Sequence, residues 1–203
     1  PANLHWSSDE LLEAMADLSE RYSAPMHMHL LETAYQKEYA RRRTGTTSVN
    51  YLNRFKLLSQ KMTLGHGVWV NDEDIEMLAG TGTHVCHCPS SNLRLCSGTM
   101  PLNRLAELGV GVGLGIDEAG INDDRDMLLE MRLALNLHRE PGHDSARPTH
   151  EQVLRMATEG GAKTTPFGSE IGTLKPGQAA DMVSVPPLIF PFPTPSWKIF
   201  LKK

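Results

Sequence analysis

The segment from Val110 to Asp117 alternates bulky and minimal side chains with a period of two. Val, Val, Leu and Ile occupy one set of positions, and three glycines and one aspartate occupy the other. Successive side chains of a β-strand point to opposite faces, so this pattern predicts a strand with one bulky face and one nearly bare face. We expect helices to cover the bulky face, and the glycine face to meet a crowded neighbour or a ligand.

Strand and helix patterns alternate along the chain before and after this segment. The predicted strands cover 24–31, 61–67, 83–88 and 110–117, with a loop from 88 to 101 and a short strand at 181–185. The predicted helices cover 8–22, a segment beginning near 33, and 46–60, 71–79, 101–108, 126–138 and 151–158; Ser7 and Glu10 suggest a capping box for the first. Such alternation implies an α/β fold with a parallel sheet, and four strand–helix units make half of a (β/α)₈ barrel.

Composition narrows the possible partners and location. The 203 residues carry a net charge of −4, so no basic surface for nucleic acid is expected. Apolar runs are short, which predicts no membrane association, and three cysteines fit a reducing cytoplasm better than a disulfide framework. The first residues lack the features of a signal peptide, so we expect a cytoplasmic protein. Five of the thirteen prolines lie in 186–195, which predicts an irregular tail over 186–203.

Polar residues follow three of the predicted strands. His29 and Glu32 come after the first, His66 ends the second, and Asp117 ends the fourth. Because the carboxyl ends of parallel strands meet at one edge, we expect these side chains to converge. Imidazole and carboxylate groups bind divalent metals, and a metal acidifies its bound water while a nearby carboxylic acid moves protons. The pattern therefore predicts a metal-dependent catalytic site, although structural histidines and a helix-capping aspartate are simpler alternatives.

Two rival interpretations concern other features. A zinc knuckle is disfavoured because its spacing lacks paired two-residue hairpins; its ligands would be His84, Cys86, Cys88 and Cys96. A half-barrel that acts as an interaction module without a catalytic metal remains an open alternative. Contact of His5 and Trp6 with a substrate is also left open at this point.

Several motifs together resemble the amidohydrolase superfamily. They are the sequences at 29–32, 64–66, 88–95, 114–117, 122–123, 130–134 and 171–181. The most similar branch contains the S-adenosylhomocysteine and methylthioadenosine deaminases, guanine deaminase and triazine hydrolases such as atrazine chlorohydrolase. The resemblance implies that the chain carries strands 5 to 8 of a TIM-type barrel and a remnant of the small C-terminal β domain.

The resemblance also implies a role for each matching residue. His29 matches the metal ligand of the fifth strand, and Glu32 matches the proton shuttle that protonates a ring nitrogen of the substrate. His66 matches the histidine that orients the hydroxide or the substrate. Asp117 matches the eighth-strand metal ligand that also takes a proton from the attacking water.

The implied activity is hydrolytic deamination or dechlorination of a nitrogen heterocycle by metal-activated hydroxide, with zinc or iron as the cofactor. His87 and Asn92 are implied to contact the substrate, a small heterocyclic molecule. The identity of the ring is not predicted, because the loops that recognise it are mostly outside this sequence.

The sequence departs from the family pattern at its metal site. The family's first-strand His-x-His pair is absent, because the only such pair, His27 and His29, belongs to the fifth strand. With two clear ligands, His29 and Asp117, we expect the 203-residue chain alone to hold no stoichiometric metal and to have negligible activity.

The same departure predicts an incomplete barrel. We expect a partial barrel over 1–165, the start of a C-terminal β segment over 166–185, and the irregular tail over 186–203. Four parallel strands leave open edges, so we expect either a homo-oligomer, most simply a dimer, or a longer parent protein.

Overall fold

The computed structural model describes residues 2–118, 120–121, 124–140 and 147–184, and its centre is one parallel sheet. The strands are β1 (Met26–Leu30), β2 (Met62–His66), β3 (His84–His87) and β4 (Val112–Leu114), and they neighbour one another in sequence order. The register aligns Met28 with Leu64, Leu64 with Val85, and Val85 with Val112. The predicted α/β class with a parallel sheet is therefore confirmed.

Helices connect the strands and cover the bulky face of the sheet. They are α1 (Asp9–Tyr22), α2 (Ala34–Thr44), α3 (Ser48–Arg54), α4 (Asp72–Thr81), α5 (Pro89–Arg94), α6 (Leu102–Glu107), α7 (Met127–His138), α8 (His150–Arg155) and α9 (Gly161–Lys163). A 3₁₀ turn (Leu4–Trp6) precedes α1, and a π-helical turn (Met156–Gly160) joins α8 to α9. Among the described residues, no helix has the length and apolar character needed to cross a bilayer.

The structure corrects three sequence-based boundaries. The helix predicted over 46–60 ends at Arg54, because the chain turns at Lys56 with a φ of 57°. The loop predicted from 88 to 101 contains α5, which begins at Pro89, where a proline is compatible with the first helical turn. Residues 181–184 form no strand, and position 185 and the tail over 186–203 lie outside the described residues.

The start of α1 also differs from the prediction. Ser8, not Ser7, is the N-cap, and its side chain accepts a hydrogen bond from the Leu11 amide. The Ser7 hydroxyl instead donates to the Asn3 carbonyl at 2.7 Å. The predicted capping box between Ser7 and Glu10 is therefore wrong, because Ser7 belongs to the turn before the helix.

The hydrophobic core lies between the bulky face of the sheet and the helices. Its fully buried side chains include Leu12 of α1, Leu52 of α3, Leu78 of α4 and Leu105 of α6. Burying a leucine of this kind contributes about 1.5–3 kcal/mol. The core thus fixes the sheet rigidly enough to hold side chains at the strand ends.

The glycine face of β4 is crowded, as predicted. A Cβ added at Gly113 would lie 3.0 Å from Thr164 Cγ2 and 3.1 Å from Gly161 Cα. At Gly115 it would lie 2.7 Å from Cys86 Sγ. Because these glycines carry no side chain, the chain around α9 and the Cys86 thiol can pack directly against this face of the sheet.

Candidate functional site

Three potential metal ligands converge at the carboxyl ends of the strands. His29 of β1, His66 of β2 and Asp117 after β4 each offer one ligand atom, and these atoms all lie within 4.8 Å of one another. The two imidazole rings stack with 5.2 Å between centroids. Glu32 belongs to the same cluster, with its Oε2 atom 4.0 Å from His66 Nε2. The structure therefore brings together the four residues that strand-end positions singled out.

Left-handed backbone conformations occur at three points around this cluster. Leu31 has a φ of 52°, His66 of 73° and Asp117 of 63°. Strict alternation from Leu64 would direct His66 toward the helix-covered face, whereas its ring stacks on His29. Conformations of this kind cost about 1–3 kcal/mol each and are concentrated at functional sites.

His29 is oriented by the backbone at the beginning of the chain. Its Nδ1 atom lies 3.0 Å from the Ala2 carbonyl oxygen, and Asn3 forms a parallel bridge with it. A carbonyl only accepts hydrogen bonds, so Nδ1 carries the proton and Nε2 keeps its lone pair. This is the arrangement that a metal-binding histidine requires.

His66 is buried and is held by Asn92. Its Nδ1 atom donates to Asn92 Oδ1 at 3.0 Å, and its Nε2 atom lies 3.6 Å from Asp117 Oδ2. Asn92, predicted to contact the substrate, therefore supports His66 directly. Within the described part of the chain, the buried Nδ2 atom of Asn92 has no hydrogen-bond partner.

Both oxygens of Asp117 accept hydrogen bonds. The Ser91 hydroxyl donates to Oδ2 at 2.6 Å, and the Glu118 amide donates to Oδ1 at 2.8 Å. Asp117 does not cap the next helix, because Asp126 is the N-cap of α7. The simpler interpretation of Asp117 as a helix cap is therefore wrong.

Glu32 is fixed from two directions. Its amide donates to Gln36 Oε1 at 2.8 Å, and Gln36 Nε2 donates to Glu32 Oε2 at 3.5 Å. The Ser97 hydroxyl donates to Glu32 Oε1 at 3.4 Å. The carboxyl group is thus held beside His66 while remaining partly exposed.

His87, predicted to contact the substrate, is not brought to this cluster. It shares the face of Val85 in β3, is 1% exposed, and its Nε2 atom lies 2.9 Å from Nε2 of His138 in α7. Strand alternation sends the ring to the helix-covered side of the sheet. The structure therefore gives His87 a packing environment instead of a place among the other site residues.

The buried pair of His87 and His138 predicts acid sensitivity. Burial lowers the pKa of His87 to about 3 and that of His138 to about 4. The folded state keeps both rings neutral below pH 6.5 while the unfolded state binds protons, so the free energy of unfolding falls with pH from about 6.5 downward and levels off near the folded-state values. At pH 5 each buried ring lowers the free energy of unfolding by about 2 kcal/mol relative to neutral pH.

Urea unfolding at pH 7 and pH 5 measures this effect. We expect His138→Gln to remove about half of the pH-dependent loss that the pair causes, and His150→Gln, on the exposed side of α8, to leave it unchanged. Equal pH dependence in all three proteins would contradict the assignment to this pair.

Sequence reasoning missed the supporting hydroxyl and amide groups around the site. Ser91 and Ser97 lie in a segment predicted as a loop, and Gln36 lies one helical turn after Glu32. The only sequence signal for the two serines was a run of small polar residues directly after the third strand, and Gln36 had none. Roles for such residues depend on tertiary contacts that no local pattern encodes.

The donor set fits a divalent metal ion. His29, His66 and Asp117 supply nitrogen and oxygen ligands of the types found in zinc and iron sites, and three protein ligands leave room for water. Where the sequence indicated two clear ligands, the structure adds His66 as a third candidate. The described residues contain no other such group, and Cys96 is exposed, so the disfavoured zinc-knuckle alternative does not form.

Comparisons with known proteins agree with this chemistry. The Amidohydrolase family matches residues 5–200. The chain is 39% identical over 173 residues to the 8-oxoguanine deaminase of Pseudomonas aeruginosa, covering 85% of this chain and 38% of that protein. It is 40% identical over 177 residues to the 5-methylthioadenosine/S-adenosylhomocysteine deaminase of Pelotomaculum thermopropionicum, covering 87% and 40%.

Solved structures show the same relationship. An adenosine deaminase from Xanthomonas campestris with bound zinc superposes with a TM-score of 0.83 at 31% identity, over 89% of this chain and 41% of that one. A mutant atrazine chlorohydrolase from Arthrobacter aurescens, complexed with zinc and atraton, has a TM-score of 0.83 at 28% identity, over 89% and 40%. The chain thus spans about two fifths of the length of the relatives it matches.

Proposed function

Because the chain belongs to the amidohydrolase family, we propose that the whole protein removes an amino or halide substituent from a nitrogen heterocycle by metal-dependent hydrolysis. The observation that carries the proposal is the convergence of Glu32 with His29, His66 and Asp117 at the strand ends. For deamination the reaction consumes one water and releases one ammonia, and the ring carbon gains the oxygen of that water.

We propose His29 and Asp117 as the metal ligands in this chain, with His66 as a third donor beside them. When bound, a divalent ion supplies a Lewis acid and lowers the pKa of coordinated water to about 7. Zinc is the metal we favour, because two structurally similar enzymes contain it. Iron is the alternative, since histidine and aspartate suit both metals.

The protein groups divide the proton transfers between them. Asp117 accepts the proton of the attacking water at a carboxylate oxygen, and the Ser91 hydroxyl holds that carboxylate in place. Glu32 donates a proton to the ring nitrogen next to the attacked carbon and recovers one from the hydroxyl group formed on that carbon, while Asp117 passes its proton to the departing amine, which leaves as ammonia. His66 lies between the two carboxylates, 3.6 Å from Asp117 Oδ2 and 4.0 Å from Glu32 Oε2, and orients the water and the substrate.

Exposed aromatic side chains surround His5, which is close enough to Glu32 for an electrostatic interaction, and they support a planar substrate. Trp6 is 73% exposed and Tyr35 is 65% exposed, and the ring of His5 lies 4.7 Å from Trp6 and 6.2 Å from Tyr35 between centroids. Tyr35 follows Glu32 by three residues. We propose that the heterocycle stacks on Trp6, because ring stacking is worth about 1–3 kcal/mol.

We expect Trp6→Ala to raise KM about tenfold while changing kcat less than about twofold. Tyr22→Ala is the matched control, since Tyr22 is 64% exposed at the end of α1 and precedes β1, whereas Glu32 follows β1 at the opposite edge of the sheet. Steady-state kinetics of the whole protein measure both constants. An unchanged KM in Trp6→Ala would remove Trp6 from the substrate site.

We propose that β1 to β4 take the places of strands 5 to 8 of a TIM-type barrel, over residues 1–165. We propose 166–185 as the start of a separate C-terminal segment, whose described part, 166–184, contains no strand; residues 186–203 lie outside the described residues. For the 203-residue chain alone we further propose a homo-oligomer, because β4 has a free edge among the described residues that a closed barrel would pair with another strand. Sedimentation as a monomer at micromolar concentration would contradict that last point.

A substrate panel tests the proposed function. The zinc-loaded whole protein is incubated with 8-oxoguanine, 5-methylthioadenosine, 5′-deoxyadenosine and atrazine, and ammonia and chloride are measured. We expect release from at least one compound. Absence of turnover of every aminated or halogenated heterocycle in the panel would favour the interaction-module alternative.

A further inference from the structure

One short segment contacts three of the groups that we propose to take part in the reaction, namely Asp117, His66 and Glu32. Within residues 90–97, which we name the supporting segment, a side chain contacts each of the three groups. The contacts are Ser91 Oγ to Asp117 Oδ2 at 2.6 Å, Asn92 Oδ1 to His66 Nδ1 at 3.0 Å, and Ser97 Oγ to Glu32 Oε1 at 3.4 Å. The position of this segment therefore sets the orientation of all three groups together.

The supporting segment is attached to α7 through Glu130. The Ser90 amide donates to Glu130 Oε2 at 3.2 Å, and the Ser90 hydroxyl donates to Glu130 Oε1. Pro89 has no amide hydrogen, and Cys88 makes no side-chain capping bond, so Glu130 takes the place of a conventional helix cap for α5. The supporting segment thus begins, at Ser90, with a contact to another helix.

A glutamate is unusual at a buried position whose only role is packing. Glu130 is 1% exposed. Burial raises the pKa of its carboxyl group, and the hydrogen bonds from the two Ser90 donors oppose that rise. A buried carboxylate without such partners would cost several kcal/mol. A directional pair of hydrogen bonds fixes the rotation and height of α5, which an apolar contact would not.

We infer that Glu130 and Ser90 are positioning residues for the proposed reaction. Their contact clamps α5 to α7 and so holds Ser91, Asn92 and Ser97 against Asp117, His66 and Glu32. The effect on turnover rests on the proposed function, whereas the effect on the geometry of His66 does not.

Ser90→Ala tests the clamp, because it removes the hydroxyl donor but keeps the amide donor. In the 203-residue chain we expect the Nδ1 proton of His66, observed by ¹⁵N-edited NMR, to exchange with water at least about tenfold faster than in the wild type. His66→Asn identifies the resonance by its loss. Glu107→Gln, on the exposed side of α6, is the control and should leave the exchange rate unchanged.

The kinetic arm uses the whole protein with the substrate found in the panel. Ser90→Ala should lower kcat about tenfold with KM changed less than twofold. Ser90→Thr should keep most of the wild-type kcat, because threonine also carries a hydroxyl group. Glu130→Gln should fall between them, since its amide keeps one acceptor oxygen. If Glu130→Gln fails to fold, the two Ser90 variants carry the test.

The outcomes separate the two claims. Unchanged proton exchange at His66 in Ser90→Ala overturns the clamp, as does a change confined to KM. If the wild-type protein turns over no substrate, the proposed function fails, and the NMR arm alone then supports or overturns the clamp.

Discussion

Glu32→Gln is expected to lower kcat/KM of the whole protein by about 100-fold to 10,000-fold. An amide cannot deliver the proton that the ring nitrogen requires, yet it occupies nearly the same space as the carboxyl group. The hydrogen bond from the Glu32 amide to Gln36 uses the backbone and is unaffected. We therefore expect the loss of activity with a change in unfolding free energy below about 1 kcal/mol.

Glu38→Gln is the matched control for this variant, because it makes the same change on α2. The Glu38 carboxylate pairs with Arg41 and Arg42 on the surface, which lowers its pKa to about 2. This control should keep wild-type kcat/KM. Full activity in Glu32→Gln, measured at saturating metal, would exclude Glu32 as the proton donor.

Loss of metal is the second large effect that we expect. His29→Ala and Asp117→Asn should each reduce bound zinc or iron in the whole protein from about one ion per chain to less than about one tenth, and activity should fall at least about 1,000-fold. Removing either donor leaves at most two of the three converging ligand atoms. Metal analysis after extensive dialysis, followed by readdition of zinc, measures both quantities.

His27→Ala is the control for the metal variants. Its ring lies on β1 with its centroid 6.5 Å from that of His29, too distant from the cluster to share one ion at about 2.1 Å from each ligand. We expect this variant to retain its metal. Retention of a stoichiometric ion in His29→Ala would contradict the assigned ligand.

The 203-residue chain on its own provides a separate comparison. Absence of the first-strand pair predicts that it holds no stoichiometric ion, and the convergence of His66 with His29 and Asp117 does not restore that pair. The expectation stays a prediction. One ion per chain after dialysis, lost in His29→Ala, would show that these three donors suffice.

The order of strands and helices was predictable, because the sequence patterns that indicate each element are local. Period-two alternation in Val110–Asp117 identified β4, and the glycines predicted the close approach that Gly113 makes to Gly161. Boundaries were less accurate where tertiary contacts decide them. α5 begins at a proline and is clamped by Glu130, a contact 40 residues away that no periodicity reports.

The site was predictable to the extent that strand ends determine it. His29, His66 and Asp117 were located by their positions after parallel strands, whereas the direction of each side chain was not. His66 faces the site through a left-handed backbone, and His87 faces away through ordinary alternation. Supporting groups such as Ser91 were missed because their roles depend on how α5 packs.

Isotope incorporation during turnover tests the central proposal most directly. The zinc-loaded whole protein is incubated in H₂¹⁸O with the aminated heterocycle that the panel identifies, and the product is analysed by mass spectrometry beside an ammonia assay. Hydrolytic displacement predicts one ¹⁸O atom on the ring carbon for each ammonia released, with both signals lost in Glu32→Gln and His29→Ala. Ammonia release without ¹⁸O in the product, or equal release by these variants, would contradict the account.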